Sequence, residues 1–508
     1  MAGAQYRLPD GLDLVKASTA LAKHLEVERG PVGTADRTFY DTFDGRLHAE
    51  GLAVVHEDGR LAAVDATTYA ERAGIDLAQR PDRVLPMELE DSPFRRLLEP
   101  IVEVRVLAPI ARVSGRRRAL RVLNGDAKTV VRLAVEAPVL VVPGRRRVPL
   151  RSRLHVTPVR GYDAELARVR ETLEAELGLE PAFAPLHDEA VTAAGGMPGG
   201  VPSKPAVDLR ADQRTDAAAV MLLTALHGVI EANLPGALED LDIEFLHDLR
   251  VAVRRSRSLQ RQLKRAFPPE ALARFRAEFK WIQQATGDAR DLDVYVLEFD
   301  RFRDVVGPDL DPLRTALEAR RAEAHRRMRR ALRSARAKRL LQEWPAFLEE
   351  LVELPEDDRP HASKPVAGVA GKRIRKVYGR MVAEGRAIDD DTPDEALHDL
   401  RKLGKELRYL LEFFSDLFPE EVVKPMVKSL KALQNTLGEF QDRAVQADMM
   451  RHLRDEVAPL EGGAAALMAM GLLVDRLDEE KTAARAEFSE RFSAFAAKRQ
   501  RKLVKDTF

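Results

Sequence analysis

The segment that starts His247-Asp248-Leu249-Arg250 returns 151 residues later as His398-Asp399-Leu400-Arg401, and the register then holds without a gap. At that offset Arg257 meets Arg408, Leu259 meets Leu410, Phe267-Pro268 meets Phe418-Pro419 and Glu270 meets Glu421. Lys280, Gln283, Gly287 and Asp291 likewise meet Lys431, Gln434, Gly438 and Asp442. The 13 identities in 45 aligned positions exceed the roughly 3 to 4 that unrelated sequences of this bias would share. A chain built this way folds as two tandem copies of one unit, related by a pseudo-two-fold axis. From Asp212 onward apolar residues recur at a 3.6-residue period. Breaks are expected at Asn233 to Gly236, Pro268-Pro269, Gly307-Pro308, Leu354 to Pro365, Asp389 to Pro393, Pro419 and Pro459 to Gly463. The pattern predicts an all-α region of roughly eight to ten helices, in two bundles over about 212–355 and 364–508.

Placed on a helix, His247, Arg250, Arg254, Arg257 or Arg261, and Arg265 form one basic stripe at three- and four-residue steps. Leu246, Leu249, Val253, Leu263 and Phe267 form the apolar stripe beside it, which must face the bundle interior. The second copy repeats the basic stripe as His398, Arg401, Lys405 and Arg408, followed on the next helix by Lys424, Lys428 and Lys431. Lys372, Arg375, Lys376 and Arg380 share a further helix whose apolar face is Ile374, Val377 and Met381. Like charges at this spacing repel by a few tenths of a kcal/mol per pair. One such stripe reads as a solvated face paired with acidic neighbours; a stripe kept in both copies points to an anionic partner.

The total charge hides this. The 508 residues carry 82 Lys+Arg against 82 Asp+Glu, a balance that seen alone argues against a polyanion partner. Yet Phe245 to Arg290 holds 11 basic residues against 4 acidic, and Arg314 to Arg339 holds 11 against 2. The acids gather in Glu239 to Glu244, Glu349 to Asp358 and Glu384 to Glu395. Cysteine is absent, which excludes disulfides, a thiolate nucleophile and Cys-type zinc sites. The first ten residues lack a basic n-region and an apolar h-region. The apolar run near Ala464 to Val474 falls short of the roughly 20 residues that span a bilayer. The expectation is a cytoplasmic protein without a membrane partner.

The first 180 residues read differently. Ile101 to Leu107, Ala119 to Leu123, Thr129 to Val135, Val139 to Val142 and Arg153 to Thr157 alternate apolar and polar positions as strands do, with helices expected at Gly11 to Leu25 and Asp163 to Leu177. Gly-Gly-Met-Pro-Gly-Gly-Val-Pro within Pro185 to Ala206 is linker composition. The fold class expected is a multidomain α+β chain: an antiparallel β domain over 1–184, a linker over 185–211, and the duplicated helical region over 212–508.

His-Asp-Leu-Arg-x3-Arg-x2-Arg, followed by Lys-x2-Gln-x3-Gly-Asp-x-Arg-Asp-x-Asp from Lys280 to Asp293, both inside a repeated helical region, resembles the CHAD (conserved histidine α-helical domain) family over Asp212 to Phe508. The resemblance implies two four-helix bundles with internal symmetry, a basic channel or surface that binds inorganic polyphosphate, and association with cytoplasmic polyphosphate granules. It implies binding by His247, Arg250, Arg254, Arg257, Arg261, Lys280, Lys372, Arg375, Lys376, His398, Arg401, Lys405, Arg408, Lys424, Lys428 and Lys431. For the two histidines, interhelix hydrogen bonding, direct phosphate contact and metal ligation are all open. Neighbouring His and Asp point about 100° apart on a helix, an argument against their sharing an ion, and no His follows at i+4. Gly287 and Gly438 suit close helix approach or a turn. Asp288 and Asp291 suit capping or pairing with Arg.

Thr38-Phe-Tyr40-Asp41-Thr42-Phe-Asp44-Gly45-Arg46-Leu47-x3-Gly51-Leu52 resembles the CYTH, or triphosphate-tunnel, family, whose fold is an antiparallel β-tunnel holding triphosphate and metal, over about Tyr6 to Leu179. Three departures stand out. Met1 to Leu14 contains no Glu or Lys where the family has Glu-x-Glu-x-Lys. Leu52-Ala-Val-Val-His56-Glu57-Asp58 follows Gly51 where paired basic residues are expected, and Arg153-Leu-His155-Val-Thr157 replaces a Glu-x-Glu strand. Metal-dependent phosphoanhydride cleavage needs both sets, so the domain is expected to be degenerate and non-catalytic. Arg112, Arg116, Arg117, Arg118, Arg145, Arg146 and Arg147 read as solvated arginines able to attract an anion.

The sequence therefore predicts a non-enzymatic polyphosphate-binding protein with no cofactor and no metal. The alternatives are a triphosphate- or nucleotide-hydrolysing enzyme and a nucleic-acid-binding protein. Aromatic content of 6% gives few stacking platforms for single strands, and no helix-turn-helix or zinc signature for duplex is evident.

Overall fold

The computed structural model describes all residues except 1, 2, 10, 11, 143, 145, 146, 183 and 390. Arg145 and Arg146 of the sequence reading thus lie outside the described residues. The chain divides into two units, Met1–Pro202 and Ser203–Phe508.

In the first unit the strands are β1 (Ala4–Arg7), β2 (Val27–Asp41), β3 (Leu52–Glu57), β4 (Arg60–Asp65), β5 (Glu71–Asp76), β6 (Ala108–Leu123), β7 (Thr129–Leu140), β8 (Val148–Pro149), β9 (Arg153–Pro158) and β10 (Glu180–Pro181). They form one antiparallel sheet in the order β10-β1-β9-β7-β6-β2-β3-β4-β5, with β8 beside β7, curled into a half-barrel. Register shifts between Arg29 and Val32 and between Phe39 and Tyr40 mark bulges, which add twist and bend to a long strand. Alternation along β2 sends neighbouring rings to different cores. Phe39 packs with Val55, Val113 and Leu140, while Tyr40 packs with Val54, Leu61 and Phe94.

The helices of this unit are α1 (Leu14–His24), α2 (Arg46–Ala49), α3 (Pro93–Val102), α4 (Asp163–Glu171) and α5 (Leu186–Ala193). Two expectations are corrected here. Ile101 to Leu107 is not a strand, because its start closes α3, whose Phe94, Leu98 and Val102 bury one face at i, i+4, i+8. Pro93 at N1 and the Ser92 cap, whose side chain accepts from the Arg95 N–H at 3.2 Å, start that helix. The supposed linker 185–211 begins with α5, and Leu186, Ala190 and Val191 sit in the same core as Phe39.

The second unit holds α6 (Thr215–Glu239), α7 (Ile243–Gln262), α8 (Pro269–Ala285), α9 (Gly287–Val306), α10 (Asp311–Leu332), α11 (Ala335–Glu350), α12 (Val366–Arg386), α13 (Asp394–Phe413), α14 (Glu420–Val457), α15 (Gly463–Phe495) and α16 (Lys498–Thr507). The repeat offset of 151 carries the start of α6 onto α12, both ends of α7 onto α13, and the span of α8 plus α9 onto the single helix α14. The copies differ where Thr286 interrupts the first, since Leu437 at the same place lets α14 run on. Two reciprocal hydrogen bonds mark the pseudo-two-fold axis. Thr215 N–H donates to Lys364 O at 2.9 Å, and Val366 N–H donates to Gln213 O at 2.8 Å. Arg214 and Pro365, the same position in the two copies, form an antiparallel bridge between them.

The break expected at Asn233 to Gly236 does not occur, since α6 runs through Pro235 to Glu239. Gly236 serves packing there, because a Cβ would fall 2.3 Å from the Phe245 ring. By length and composition α6 could cross a membrane, with a mean hydropathy of 1.5, but half of its apolar window is buried within the protein. The apolar run near Ala464 is thus not the one most suited to a bilayer; Leu222, Leu223, Leu226, Val229 and Ile230 of α6 are core residues.

Candidate functional site

The basic stripe of α7 faces α8 and α13 across a groove. A cavity of about 700 Å³ is lined by Arg254, Arg257, Ser258 and Arg261 from α7, by Ala273, Arg276, Ala277, Lys280 and Gln283 from α8, and by Lys402, Lys405, Glu406 and Tyr409 from α13. Seven lining side chains are cationic and one is a carboxylate. Glu406 accepts an ion pair from Arg261 at 2.8 Å and is also reached by the Gln262 amide. Lys405 continues into a second cavity of about 320 Å³, lined with it by Arg401 and Arg408 of α13 and by Gln434, Asn435, Gly438, Glu439 and Asp442 of α14.

Burial first, and neighbouring positive charge second, lower the pKa of the cations here. Burial, reinforced by Arg401 and Arg254 and only partly opposed by Asp442, pushes the Lys405 ammonium down to about 8. Burial, with Arg261 and Arg276 beside it, holds Arg257 below the usual guanidinium range. Arg250 is lowered chiefly by burial, which Asp291 and Asp288 oppose and Arg254 and Arg290 reinforce. A desolvated cluster of like charge is held at a cost, and an anion in the groove would relieve it.

The sequence-predicted residues separate into three groups. Arg254, Arg257, Arg261, Lys280 and Lys405 line the groove, and Arg401, Lys405 and Arg408 line the second cavity. Arg250 is half-buried and donates through Nη1 to Gln283 O and Thr286 Oγ1, both at 2.8 Å. It therefore holds the end of α8. Lys372, Arg375 and Lys376 are exposed on α12, and Lys424, Lys428 and Lys431 are exposed on α14; none of the six lines either cavity. His398 makes an interhelix hydrogen bond, Nδ1 to Gln441 Oε1 at 2.7 Å, and neither histidine lines the groove. Arg276, Lys402, Glu406 and Tyr409 are lining residues that the stripe argument missed.

Contrary to the angular expectation, His247 and Asp248 bring ligand atoms close together. Ligand atoms of Glu244, His247 and Asp248 lie within 4.8 Å of one another, since side-chain length overcomes the angular offset of neighbours. Arg290 approaches the Glu244 carboxylate at 3.4 Å. A second group, Asp240, Asp293 and His325, is also close enough to share an ion. There Arg321 already donates to Asp293 at 2.7 Å and to both oxygens of Asp240 at 2.9 and 2.7 Å.

The half-barrel has a cavity of its own, about 610 Å³, lined among others by Arg37, Glu57, Arg60, Tyr69, Arg117 and His155. Arg37 bridges Glu57 at 2.9 Å and Glu136 at 2.8 Å, and His155 meets Glu136 at 3.1 Å. Acidic and basic groups are matched there, unlike in the groove. The Thr38 to Leu52 stretch is architectural. Asp41 accepts from the N–H groups of Thr42, Leu47 and His48, capping the start of α2 after Gly45 turns through a φ of 70°. Arg112 is paired with Asp36, and Arg117 approaches Glu57 at 3.5 Å.

Residues 221–451 match the family model of the CHAD domain. Two uncharacterized proteins, from two strains of Mycobacterium tuberculosis, are each 29% identical over 212 residues, covering 40% of this chain and 39% of the relative. The match thus spans well under half the length of these curated relatives. Among solved structures, the CHAD domain from the plant Ricinus communis aligns with a TM-score of 0.49 and 23% identity, over 57% of this chain and 96% of that one. PptA from Streptomyces chartreusis aligns with a TM-score of 0.43 and 16% identity, over 55% of this chain and 100% of that one.

Proposed function

The chain carries a CHAD domain within residues 221–451, and on that premise we propose that its groove binds inorganic polyphosphate. The observation that carries the reading is the lining of the 700 Å³ cavity: seven cationic side chains around one carboxylate, where α7, α8 and α13 meet. Closely spaced phosphate oxygens match Arg and Lys donors, and each interior unit of the polymer supplies two non-bridging oxygens that share one negative charge. A nucleic acid fits less well. Tyr409 is the one aromatic in the lining, and it is 5% exposed, which leaves no platform on which bases could stack.

The reading is non-catalytic. In the half-barrel, the Glu57 and Glu136 carboxylates already face Arg37, so a divalent ion would have to displace that guanidinium before gaining two ligands. The expected location is the cytoplasm, at granules of the polymer.

The test is calorimetric titration of the full chain with long-chain polyphosphate at two salt concentrations. Binding should weaken steeply with salt, because a charge-dense polyanion releases counterions when Lys and Arg neutralise it. Absence of binding at low salt, or strong preference for DNA in competition, would overturn the reading. Release of orthophosphate from tripolyphosphate with Mg²⁺ or Mn²⁺ would overturn its non-catalytic part.

A further inference from the structure

The two copies are not equivalent at the helix pair that bears the second half of the motif. In the first copy the crevice is filled by its own residues. Arg250 donates to Gln283 O and Thr286 Oγ1 at 2.8 Å, and Arg257 occupies the Gln283 side-chain oxygen. In the second copy the counterparts of Arg250, Arg257 and Gln283, namely Arg401, Arg408 and Gln434, line the 320 Å³ cavity. Leu437 replaces Thr286, α14 runs on unbroken, and no carbonyl is freed for Arg401, which instead meets Asp442 at 3.1 Å. Gly404 stands where the first copy has Val253, and the Gln434 amide packs into that space, with Nε2 3.3 Å from where a Cβ would sit. Gln434 is 9% exposed, lines the cavity, and has neither its Nε2 nor its Oε1 hydrogen-bonded. A buried primary amide with both ends unpaired is costly unless a ligand completes it.

The chemistry of this lining differs from that of the groove. It combines three cations (Arg401, Lys405 and Arg408) with two carboxylates (Glu439 and Asp442) and one amide able both to donate and to accept. A mid-chain phosphate offers acceptor oxygens only and suits the carboxylate-poor groove. A terminal phosphate resembles a phosphomonoester, whose second ionisation lies near pH 6. It therefore offers P–O⁻ groups to the cations and, when protonated, a P–OH to a carboxylate or to Gln434 Oε1. We infer that the α13–α14 cavity holds the terminal phosphate of a polyphosphate whose following units run through the groove, the two being joined at Lys405. This inference rests on the polyphosphate reading of the groove and adds a direction to it: one end of the polymer is seated in the second copy.

The experiment compares full-length protein binding to a linear polyphosphate of defined length, sufficient to span both cavities, with binding to the same polymer blocked at both ends as alkyl esters. The free-ended polymer should bind on the order of tenfold more tightly, as expected for lost hydrogen bonds to a charged group. Gln434→Leu should remove that preference while leaving the affinity for the end-blocked polymer unchanged. Should Gln434→Leu fail to fold, Gln434→Met, which keeps the length of the side chain and removes both hydrogen-bonding ends without changing any charge, makes the same test. Equal affinity of wild-type protein for both polymers would overturn end recognition and leave the groove reading standing. Failure to bind either would overturn both. Orthophosphate titrated alone separates the remaining source of the same chemistry. It should bind far more weakly than the polymer, because the groove contributes nothing to it. Comparable, Gln434-dependent orthophosphate binding would make the cavity a free-phosphate site and overturn the inference.

Discussion

Arg254 and Lys405 occupy the same position in the two copies and face each other in one groove, where the Arg254 charge helps to depress the Lys405 ammonium. Ser258 and Tyr409, also counterparts, share that lining. The groove therefore lies where the pseudo-two-fold axis brings α7 and α13 together, and duplication doubled the charge density at one place. A helix stripe in a single copy would have faced only its own bundle.

Reversal of both charges, Arg254→Glu with Lys405→Glu, should weaken polyphosphate binding by about a hundredfold or more, as loss of desolvated charge pairs does. Lys372→Glu with Lys376→Glu makes the same change in net charge on exposed α12 side chains outside the groove. It should cost less than about tenfold through long-range attraction alone, which salt screens. Calorimetry on both variants, with circular dichroism to check folding, decides between a located site and a diffuse basic surface.

Binding should also depend on pH in a window set by Lys405. Its pKa in the free protein is about 8, so the side chain is largely charged at pH 7 and largely neutral at pH 9. A bound anion favours the charged form and raises that pKa, so binding takes up a proton. Affinity should fall by up to about tenfold per pH unit as pH rises through 8. Arg401 and Arg408 on the same helix, Arg254 on α7 and Asp442 on α14 face this ammonium; the guanidinium and carboxylate groups keep their charge across the window. Lys405→Arg, charged throughout, should flatten the slope. Titrations in buffers of different ionisation enthalpy measure the proton uptake directly.

The repeat and the helical period were legible because both are written along one strand of text. What the periodicity could not supply was which part of a stripe the neighbouring helix covers. Arg250 and Arg254 are one turn apart, yet one closes a helix end and the other lines the groove. On α12 the periodicity singles out Lys372, Arg375 and Lys376, which are exposed, while Arg373 between them reaches Gln262 at 2.9 Å. Arg276 and Lys402 were missed because they belong to no stripe and enter the groove only through the packing of α8 and α13. In the half-barrel, Pro93 and the Ser92 cap outweighed an alternation that ended in a helix rather than a strand. Long-range pairing of α5 with β-sheet core residues had no local signal.

The asymmetry between Arg250 and its counterpart Arg401 predicts different stability costs. Arg250→Ala leaves a buried carbonyl and a hydroxyl without their donor and should destabilise by about 1 to 3 kcal/mol. Arg401→Ala removes only a pair with the largely exposed Asp442 and should cost about 1 kcal/mol or less. Urea unfolding of the two variants, compared at the midpoint with equal slopes, measures the difference.

The first unit should lose stability in acid through one carboxylate. Glu136 is 1% exposed; burial alone would raise its pKa, but the His155 hydrogen bond and the Arg37 charge overcome this and hold it near 2, against 4.5 when free. A carboxyl whose folded pKa is depressed stabilises fully above its unfolded value and loses that contribution as pH falls toward the folded one. The loss should therefore run from about pH 4.5 down to pH 2 and amount to about 3 kcal/mol. His155, held below its usual range mainly by burial, adds a smaller loss that begins below about pH 6.5, where the unfolded side chain protonates first. Glu136→Gln should remove the lower segment of the profile. At neutral pH it should also cost about 3 kcal/mol, since Arg37, 4% exposed, loses its most buried partner. Thermal melts of wild-type and Glu136→Gln protein between pH 7 and pH 3 test both statements, and parallel profiles for the two proteins would show that the pair carries no such linkage.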